Sequence, residues 1–355
     1  MSPADRLAAR TLELIDVPSE SRDEAALAAH VLGVLRAGGV DGARDAGDTC
    51  VLAGVTARRD RPLVLLAGHL DTVPAQGNRP GRHDGGAVHG LGAADMKGAV
   101  AVMVELALSD LGARASVDIG YVLFGREELP VVHSALSPLL AREPGLRSAD
   151  AVVVMEPTAN AIHAGCLGNV NAVWTFHGRS GHSARPWLAD NAIHRAAAGI
   201  AALAQVEAQE HEFDGLRFTQ VVSVTRVRGG IADNVIPDEA VAHVNLRYAP
   251  GTSAADADAL LRGWCEPHGT VEIVSNAPSA PVATRNDLVQ RLIAAGHLAV
   301  APKQAWTPVA EFAAAGVDAV NFGPGDPRHA HTRDEKVAVD ALVRSYETLE
   351  RFACG

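Results

Sequence analysis

Apolar runs of strand length recur along the first half of the chain, and helical stretches alternate with them. The runs span residues 62–69, 117–125 and 151–157, and residues 96–111 between the first two have helical character. Nearly continuous apolar strands are typical of a sheet buried on both faces, and alternation with helices is typical of a largely parallel one. Residues 1 to about 168 therefore predict an α/β domain.

The pattern changes from about residue 169 to 279. Longer strands with partial alternation are predicted at 171–178, 217–228 and 239–250, and helices at 191–206 and 253–265. This is typical of an α+β layer. The end of the chain returns to α/β character, with a strand at 318–323 and a closing helix from about 336 to 352.

The length of the chain, 355 residues, favours two domains, since one core rarely grows so large. We predict a split catalytic domain of residues 1–168 and 280–355. An inserted lid or dimerisation domain would comprise residues 169–279.

The composition excludes some classes of partner. A formal net charge of -11 speaks against nucleic acid, because a polyanion requires a clustered basic surface.

The charged N-terminus predicts an amphipathic first helix and no signal peptide. The most apolar helical stretch, residues 99–108, contains Glu105 and is too short to span a bilayer, so we expect no membrane segment.

The cysteines indicate a reducing environment. The four cysteines lie far apart and form no CxxC pair, which argues against a disulfide framework and against a thiolate zinc site. We therefore expect a cytoplasmic protein.

His69 and Asp71 follow directly on the first apolar run. Residues two apart on an extended chain point the same way, so both can emerge at the carboxyl end of the strand, where open α/β sheets keep their sites. Imidazole binds zinc, and a carboxylate behind its other ring nitrogen fixes the tautomer. The alternative is a surface histidine with a turn aspartate.

Asp95 lies in a glycine-rich loop, residues 90–98, that leads into a predicted helix. It occupies the place of an N-cap, so the alternative to a metal ligand is a helix cap. The glycine spacing matches neither a P-loop nor a dinucleotide-binding loop.

Further acidic residues follow the next apolar runs. Glu127 and Glu128 come after residues 117–125, Glu156 stands near the end of 151–157, and His331 follows the predicted strand at 318–323. Each alone is more often a solvated loop charge. Together, carboxylates at successive strand ends repel one another unless a cation joins them, and the set is typical of a two-metal hydrolase. Carboxylates with imidazoles and no thiolate suit zinc, with cobalt or manganese as substitutes.

Five motifs in order carry a resemblance to a known family. GHLDTVP, GAADMKG, REE, MEPT and AHTRDE resemble the M20 metallopeptidases, and the central run GCLGNVNAVWTFHGRSGHSARPWLADNAIH resembles actinobacterial succinyl-diaminopimelate desuccinylases. The resemblance covers essentially the whole chain. It implies a zinc-aminopeptidase-like α/β catalytic domain with an inserted α+β lid, and hydrolysis of a small N-acyl amino acid.

The resemblance also implies roles for individual residues. The first zinc would be held by His69, Asp95 and Glu156. The second would be held by Asp95, Glu128 and His331, so that Asp95 bridges the two ions. Glu127 matches the general base of the family.

Other implied roles fall in the lid. His182 matches a histidine that reaches the oxyanion from the opposite subunit, so we expect a homodimer. Asn234 and Arg247 match positions that grip the substrate, and Arg185 is a further candidate. A solvent-exposed loop histidine and surface ion pairs of the arginines are the alternatives.

The chain departs from the desuccinylase pattern at two positions. Pro308 and Glu311 stand where those enzymes normally carry Asp and Arg. If that Arg binds a substrate carboxylate, the presence of Glu311 instead removes the cation and would repel that carboxylate. We therefore expect a related N-succinyl or N-acyl amino acid whose far end is neutral or cationic.

Other functions remain open on the same scaffold. An aminoacylase, a dipeptidase and a carboxypeptidase would share the zinc chemistry and differ only in the pocket. A noncatalytic binding protein is the alternative from another class, and the intact Glu127 speaks against it.

Overall fold

The computed structural model describes residues 1–55, 61–109, 111 and 114–355. Within these ranges the helices are α1 (Pro3–Asp16), α2 (Ala25–Ala37), α3 (Gly98–Ala107), α4 (Leu136–Arg142), α5 (Ala192–Leu203), α6 (Ala254–Cys265), α7 (Asp287–Gly296), α8 (Val309–Ala314) and α9 (Val339–Cys354). The strands are β1 (Arg44–Gly47), β2 (Cys50–Ala53), β3 (Leu63–His69), β4 (Arg82–His83), β5 (Ala87–His89), β6 (Asp118–Phe124), β7 (Ala151–Val154), β8 (Ile162–Ala164), β9 (Gly168–His177), β10 (Gly181–His182), β11 (Gln209–Phe213), β12 (Leu216–Gly229), β13 (Val235–Ile236), β14 (Glu239–Tyr248), β15 (Thr270–Ala277), β16 (Val300–Pro302), β17 (Ala319–Asn321) and β18 (Lys336–Ala338).

The chain divides into two compact units. The first contains Met1–Gly165, Val282–Ala301 and Thr307–Gly355, and the second contains Cys166–Pro281 and Pro302–Trp306. The sequence had assigned all of 280–355 to the first domain. Pro302–Trp306 groups with the second unit instead, where the Trp306 indole N–H donates to the carbonyl of Pro278 at 3.1 Å and Gln304 bonds to the backbone of β12.

The first unit is built on an eight-stranded sheet in the order β1-β2-β6-β3-β7-β17-β8-β16. Its centre is parallel, because β3 pairs with β6 and β7 in parallel register and β17 pairs with β7 in the same way. Every residue of β3 is buried, as the continuous apolar run predicted. Helices α1, α3 and α9 pack against one another. The predicted α/β sheet is confirmed.

Helix α1 illustrates how local sequence fixes an element. Ser2 caps it by accepting the backbone N–H of Asp5, and the Asp5 side chain accepts the Ser2 backbone N–H in return, which is a capping box. Pro3 occupies the first helical position, where no N–H donor is missed. The predicted amphipathic first helix is confirmed.

Helix α3 begins at Gly98, two residues later than predicted. Asp95 and Met96 have non-helical backbone angles (φ -130° and -134°), so the chain enters the helix only after them. Asp95 is not the cap of α3; that position belongs to Lys97. The alternative in which Asp95 caps this helix is therefore wrong. Residue 110 of the predicted helical stretch lies outside the described residues.

The closing helix also begins later than predicted. Residues 336–338 form strand β18, which pairs antiparallel with β5 in a three-stranded sheet. Helix α9 follows at once from Val339. No helix in the described part of the chain combines the length and apolar character that crossing a bilayer requires.

The second unit is an α+β layer, as predicted. Its five-stranded sheet has the order β11-β12-β14-β9-β15, and neighbouring strands are antiparallel. Burial alternates along β9, so one face of the sheet is apolar. Trp174 and Phe176 on that face share a core with Leu261 of α6 and Ala196 of α5.

Candidate metal centre and active site

Neighbouring parallel strands bring four predicted site residues to one edge of the large sheet. His69 is the last residue of β3, Glu127 and Glu128 follow β6, and Glu156 follows β7. Because β6, β3 and β7 are adjacent and parallel, their carboxyl ends lie at the same edge. The alternation of apolar strands and helices in the sequence thus determines the location of the site.

Asp71 organises this edge in a way that the sequence did not reveal. Nδ1 of His69 lies 3.0 Å from the backbone carbonyl oxygen of Asp71, whereas the nearest carboxylate oxygen is 3.6 Å away. The Asp71 carboxylate instead accepts the backbone N–H groups of Glu127 at 3.0 Å and Glu128 at 3.1 Å, and the hydroxyl of Ser21 at 2.8 Å. The carbonyl of Asp71 therefore orients His69, and its buried carboxylate fixes the loop after β6.

Asp95 lies between two imidazoles. Its Oδ1 is 3.1 Å from Nε2 of His69, and its Oδ2 is 3.5 Å from Nε2 of His331. His331 Nε2 also lies 2.9 Å from Oε1 of Glu128, and His69 Nε2 lies 4.0 Å from Oε1 of Glu156. With one oxygen toward each histidine, Asp95 has the arrangement of a carboxylate that bridges two cations.

Three overlapping sets of side chains are arranged as metal ligands. Within each set, one ligand atom from every member lies within 4.8 Å of the others; the sets are His69–Asp95–Glu156, Asp95–Glu128–His331 and His69–Glu127–Glu128. The first two share Asp95 and match the ligand sets that the resemblance implied. Carboxylates with imidazoles and no thiolate fit zinc, cobalt or manganese.

The charges of the site also fit a bound cation. Removal from water and the negative charge of Glu156 hold the pKa of Glu127 well above its usual value. Burial lowers the pKa of His69, but the hydrogen bond and charge of Asp95 outweigh burial and raise it well above its usual value. Hydrogen bonds to carboxylates, that of Asp95 first, raise the pKa of His331 to about 10. Two imidazoles and several carboxylates thus interact strongly at one place, as in sites where a divalent cation is the largest local charge.

Two buried residues of this region were missed by the sequence analysis. The carboxylate of Glu335 accepts backbone N–H groups of the loop before α3, and burial raises its pKa to about 7. The ammonium of Lys97 donates to the carbonyl of Val17 at 2.8 Å, and burial lowers its pKa to about 7. Both lie in motifs that carried the resemblance, GAADMKG and AHTRDE, but only the folded contacts distinguish them from surface charges.

Three predicted lid residues meet in the second unit. His182 of β10 lies beside β13, and the backbone N–H of Ser183 donates to the carbonyl of Asn234 at 3.0 Å. Arg185 closes the same turn by donating its N–H to the carbonyl of His182 at 2.8 Å. Nδ1 of His182 accepts the N–H of Ala184 at 3.1 Å, so the ring proton sits on Nε2 of this exposed side chain.

Arg247 lies on the polar face of the sheet of the second unit. Its Nε donates to Oδ1 of Asn245 at 3.0 Å, and the Asn245 amide in turn donates to Asn169 at 2.6 Å and Asn171 at 2.8 Å. Burial lowers the pKa of Arg247 below its usual value, and the guanidinium remains charged. An asparagine ladder thus orients the predicted substrate-binding arginine.

The Glu311 side chain is directed into the protein. Its Oε1 accepts the backbone N–H of Ser137 at 3.0 Å and its hydroxyl at 2.6 Å, and its Oε2 accepts the hydroxyl of Ser134 at 3.2 Å. Burial raises the pKa of Glu311. Pro308 occupies the cap position of α8 and offers no side-chain cap. Donors of the protein already bind the Glu311 carboxylate. Its contact with substrate stays a prediction.

Comparison with known proteins now identifies the family. The sequence profile of peptidase family M20/M25/M40 matches residues 65–354 of the chain. The chain belongs to this family. A Mycobacterium tuberculosis protein named as a succinyl-diaminopimelate desuccinylase, DapE, is 40% identical over 97% of both chains. The succinyl-diaminopimelate desuccinylase of Corynebacterium glutamicum is 33% identical over 96% of this chain and 94% of its own.

A solved structure confirms the fold of this M20 protein. The YxeP protein of Bacillus subtilis, described as a dinuclear metal-binding peptidase of the M20 family, superposes with a TM-score of 0.70 at 17% identity over 99% of this chain and 98% of its own. The predicted family and fold class are therefore confirmed. Membership of a peptidase family also makes the chain a hydrolase that acts on amide bonds, as predicted.

Proposed function

We propose that this M20 protein is a two-zinc amidohydrolase that removes an N-acyl group, most simply N-succinyl, from a small amino acid. The observation that carries the proposal is the pair of ligand sets that share Asp95 next to Glu127. The names of the two actinobacterial relatives support the succinyl group. Zinc suits the ligands best, with cobalt or manganese as substitutes.

Glu127 is the group that we assign as general base. Its backbone N–H donates to the Asp71 carboxylate at 3.0 Å, so contacts within the protein hold the backbone at this position. A carboxylate whose pKa lies above its usual value accepts a proton from the attacking water and passes it to the leaving amine. Bound metal ions would lower the pKa of that water and polarise the amide carbonyl.

His182 is proposed to donate Nε2–H to the oxyanion of a second subunit in a homodimer. Exposed apolar residues of the second unit, Trp187 at 73% and Ile231 at 88% exposure, would be covered by such a partner. His182→Ala should lower kcat by about 10²- to 10³-fold, the usual effect of removing one oxyanion donor. His177→Ala is the matched control, because His177 ends strand β9 of the same unit without a proposed role.

Mixing two inactive variants tests whether His182 acts on the other subunit. Dimers that combine one Glu127→Gln chain with one His182→Ala chain contain one complete site if the histidine comes from the partner, so mixing should restore activity. Sedimentation should show a dimer. A fully active monomer, or no recovery in mixed dimers confirmed by tag-based purification, would contradict the proposal.

The substrate is proposed to lack the distal anionic group that an Arg at position 311 would bind. Glu311 supplies no cation at this position, and loss of a charge-assisted hydrogen bond costs about 1.5–3 kcal/mol. We therefore expect kcat/KM for simple N-succinyl amino acids to exceed that for N-succinyl-diaminopimelate by about 10- to 100-fold. Initial rates on both substrates measure the ratio.

A paired variant tests the same position directly. Pro308→Asp with Glu311→Arg restores the desuccinylase residues and should shift the ratio toward N-succinyl-diaminopimelate; thermal unfolding establishes that this variant folds. If the unmodified protein prefers N-succinyl-diaminopimelate, the proposal that its pocket is altered at Pro308 and Glu311 is wrong. N-acetyl amino acids and dipeptides in the same panel would reveal an aminoacylase or a peptidase.

A cytoplasmic location is also part of the proposal. Three of the four cysteines are buried thiols and none forms a disulfide, which suits a reducing compartment.

A further inference from the structure

Glu335 holds the loop that carries Asp95. Its carboxylate is buried and accepts three backbone N–H groups, from Gly92 at 2.8 Å and from Ala94 and Asp95 at 3.0 Å each. The backbone carbonyl of Glu335 accepts a fourth N–H, that of Gly90, at 3.0 Å. One residue near the end of the chain therefore accepts four backbone N–H groups from residues 90–95.

The loop needs an external acceptor because it is not helical where Asp95 lies. Gly90 and Gly92 have positive φ angles of 148° and 79°, which favour glycine, and Asp95 has φ -130°. Buried backbone N–H groups require partners, and a loop of this shape does not provide them for Ala94 and Asp95. The Glu335 carboxylate supplies them, at a distance of 240 residues along the chain from Asp95.

Glu335 also belongs to the segment that presents His331. Its own N–H donates to the carbonyl of Thr332 at 3.3 Å, and the Thr332 hydroxyl donates to the carbonyl of His329 at 2.8 Å. The turn that ends at Glu335 therefore begins at Thr332, directly after His331, whose Nε2 lies 3.5 Å from Oδ2 of Asp95. Two proposed ligands of the second metal thus stand on segments that Glu335 joins.

We propose that Glu335 is a positioning residue that sets the separation of Asp95 and His331, and with it the affinity for the second of the two metal ions. The inference rests on the proposed function, since it takes both residues as metal ligands. Glutamine in place of Glu335 would turn an N–H donor toward at least one loop N–H. Alanine would leave all three N–H groups without this acceptor.

Cobalt titration of the metal-free, full-length protein tests the proposal. Visible absorption and electron paramagnetic resonance follow each equivalent of Co²⁺ and the magnetic coupling between two bound ions. In Glu335→Gln the second equivalent should bind about 10- to 100-fold more weakly than in the unmodified protein, as for other groups behind metal ligands. Glu335→Ala should weaken it further and abolish the coupling, while the first equivalent changes much less.

Glu105→Gln is the matched control. Glu105 is also a buried carboxylate of the first unit, and it bonds to Arg6 at 3.2 Å and Arg10 at 3.1 Å of α1. Its loss should lower the unfolding temperature without changing either cobalt affinity. This control separates general destabilisation from an effect on the second metal.

The outcomes distinguish this inference from the proposed function. If the Glu335 variants bind both equivalents with unchanged affinity and coupling, even at a lower unfolding temperature, Glu335 is merely structural and the inference is wrong. If the unmodified protein binds fewer than two ions, the two-metal function itself fails, and this inference fails with it. Should Glu335→Ala not fold, Glu335→Gln alone decides, because it keeps the volume of the side chain.

Discussion

Glu127→Gln should lower kcat by about 10²- to 10⁴-fold, the range in which a general base contributes to catalysis. That loss corresponds to about 3–5 kcal/mol of transition-state stabilisation. Glutamine keeps the size of the side chain and leaves the backbone bond to Asp71 at 3.0 Å intact, but it cannot accept the proton of the attacking water. Steady-state kinetics with the preferred N-acyl substrate measures the effect.

Metal content decides between the two possible roles of Glu127. It belongs to one set of candidate ligands, with His69 and Glu128, as well as matching the position of the base. If Glu127 is the base, elemental analysis of Glu127→Gln should still find two metal ions. If Glu127 is a metal ligand, this variant should lose one of them. Glu143→Gln, which removes one of the two hydrogen bonds that Glu143 accepts from Arg44 elsewhere in the first unit, should leave kcat unchanged. Undiminished turnover in Glu127→Gln would point to another mechanism or to another base.

The site was predictable because its residues follow strands that the sequence marks clearly. Residues 62–69 and 117–125 were predicted as strands, and β3 (Leu63–His69) and β6 (Asp118–Phe124) begin and end within one residue of those bounds. Once both are parallel neighbours, the position of their carboxyl ends follows from the geometry of the sheet. His69 and Glu127 could therefore be placed together without knowledge of any contact.

Features that depend on partners far along the chain were not predictable. Asp95 has the position of a helix cap in the sequence because a glycine-rich loop leads from it into a helical stretch, but the Glu335 carboxylate, 240 residues away, holds this loop outside the helix. Residues 336–338 looked helical, yet pairing with β5 makes them a strand. The Glu311 carboxylate binds Ser134 and Ser137, 177 and 174 residues earlier, and no local pattern indicates that direction.

Asp95→Asn should lose both metal ions and with them all measurable hydrolysis. Asp95 belongs to two of the ligand sets, whereas Glu156 and His331 each belong to one. Elemental analysis should therefore find two ions in the unmodified protein, about one in Glu156→Gln or His331→Ala, and none in Asp95→Asn. Retention of both ions in Asp95→Asn would exclude Asp95 as the bridge.

Removing the metal from the unmodified protein should lower its stability as well as its activity. Ions bound only to the folded state, at a concentration about 1,000 times their dissociation constant, stabilise it by about 4 kcal/mol each. Without them, the carboxylates around Asp95 and Glu127 repel one another in a site largely removed from water, which the raised pKa of Glu127 reflects. Dialysis against a chelator should therefore abolish turnover and lower the unfolding temperature, and Zn²⁺, Co²⁺ or Mn²⁺ should restore both.

Asp95→Asn supplies the control, because a chelator should not change its unfolding temperature. Hydrolysis that persists after metal removal, verified by elemental analysis, would refute the metal-dependent function.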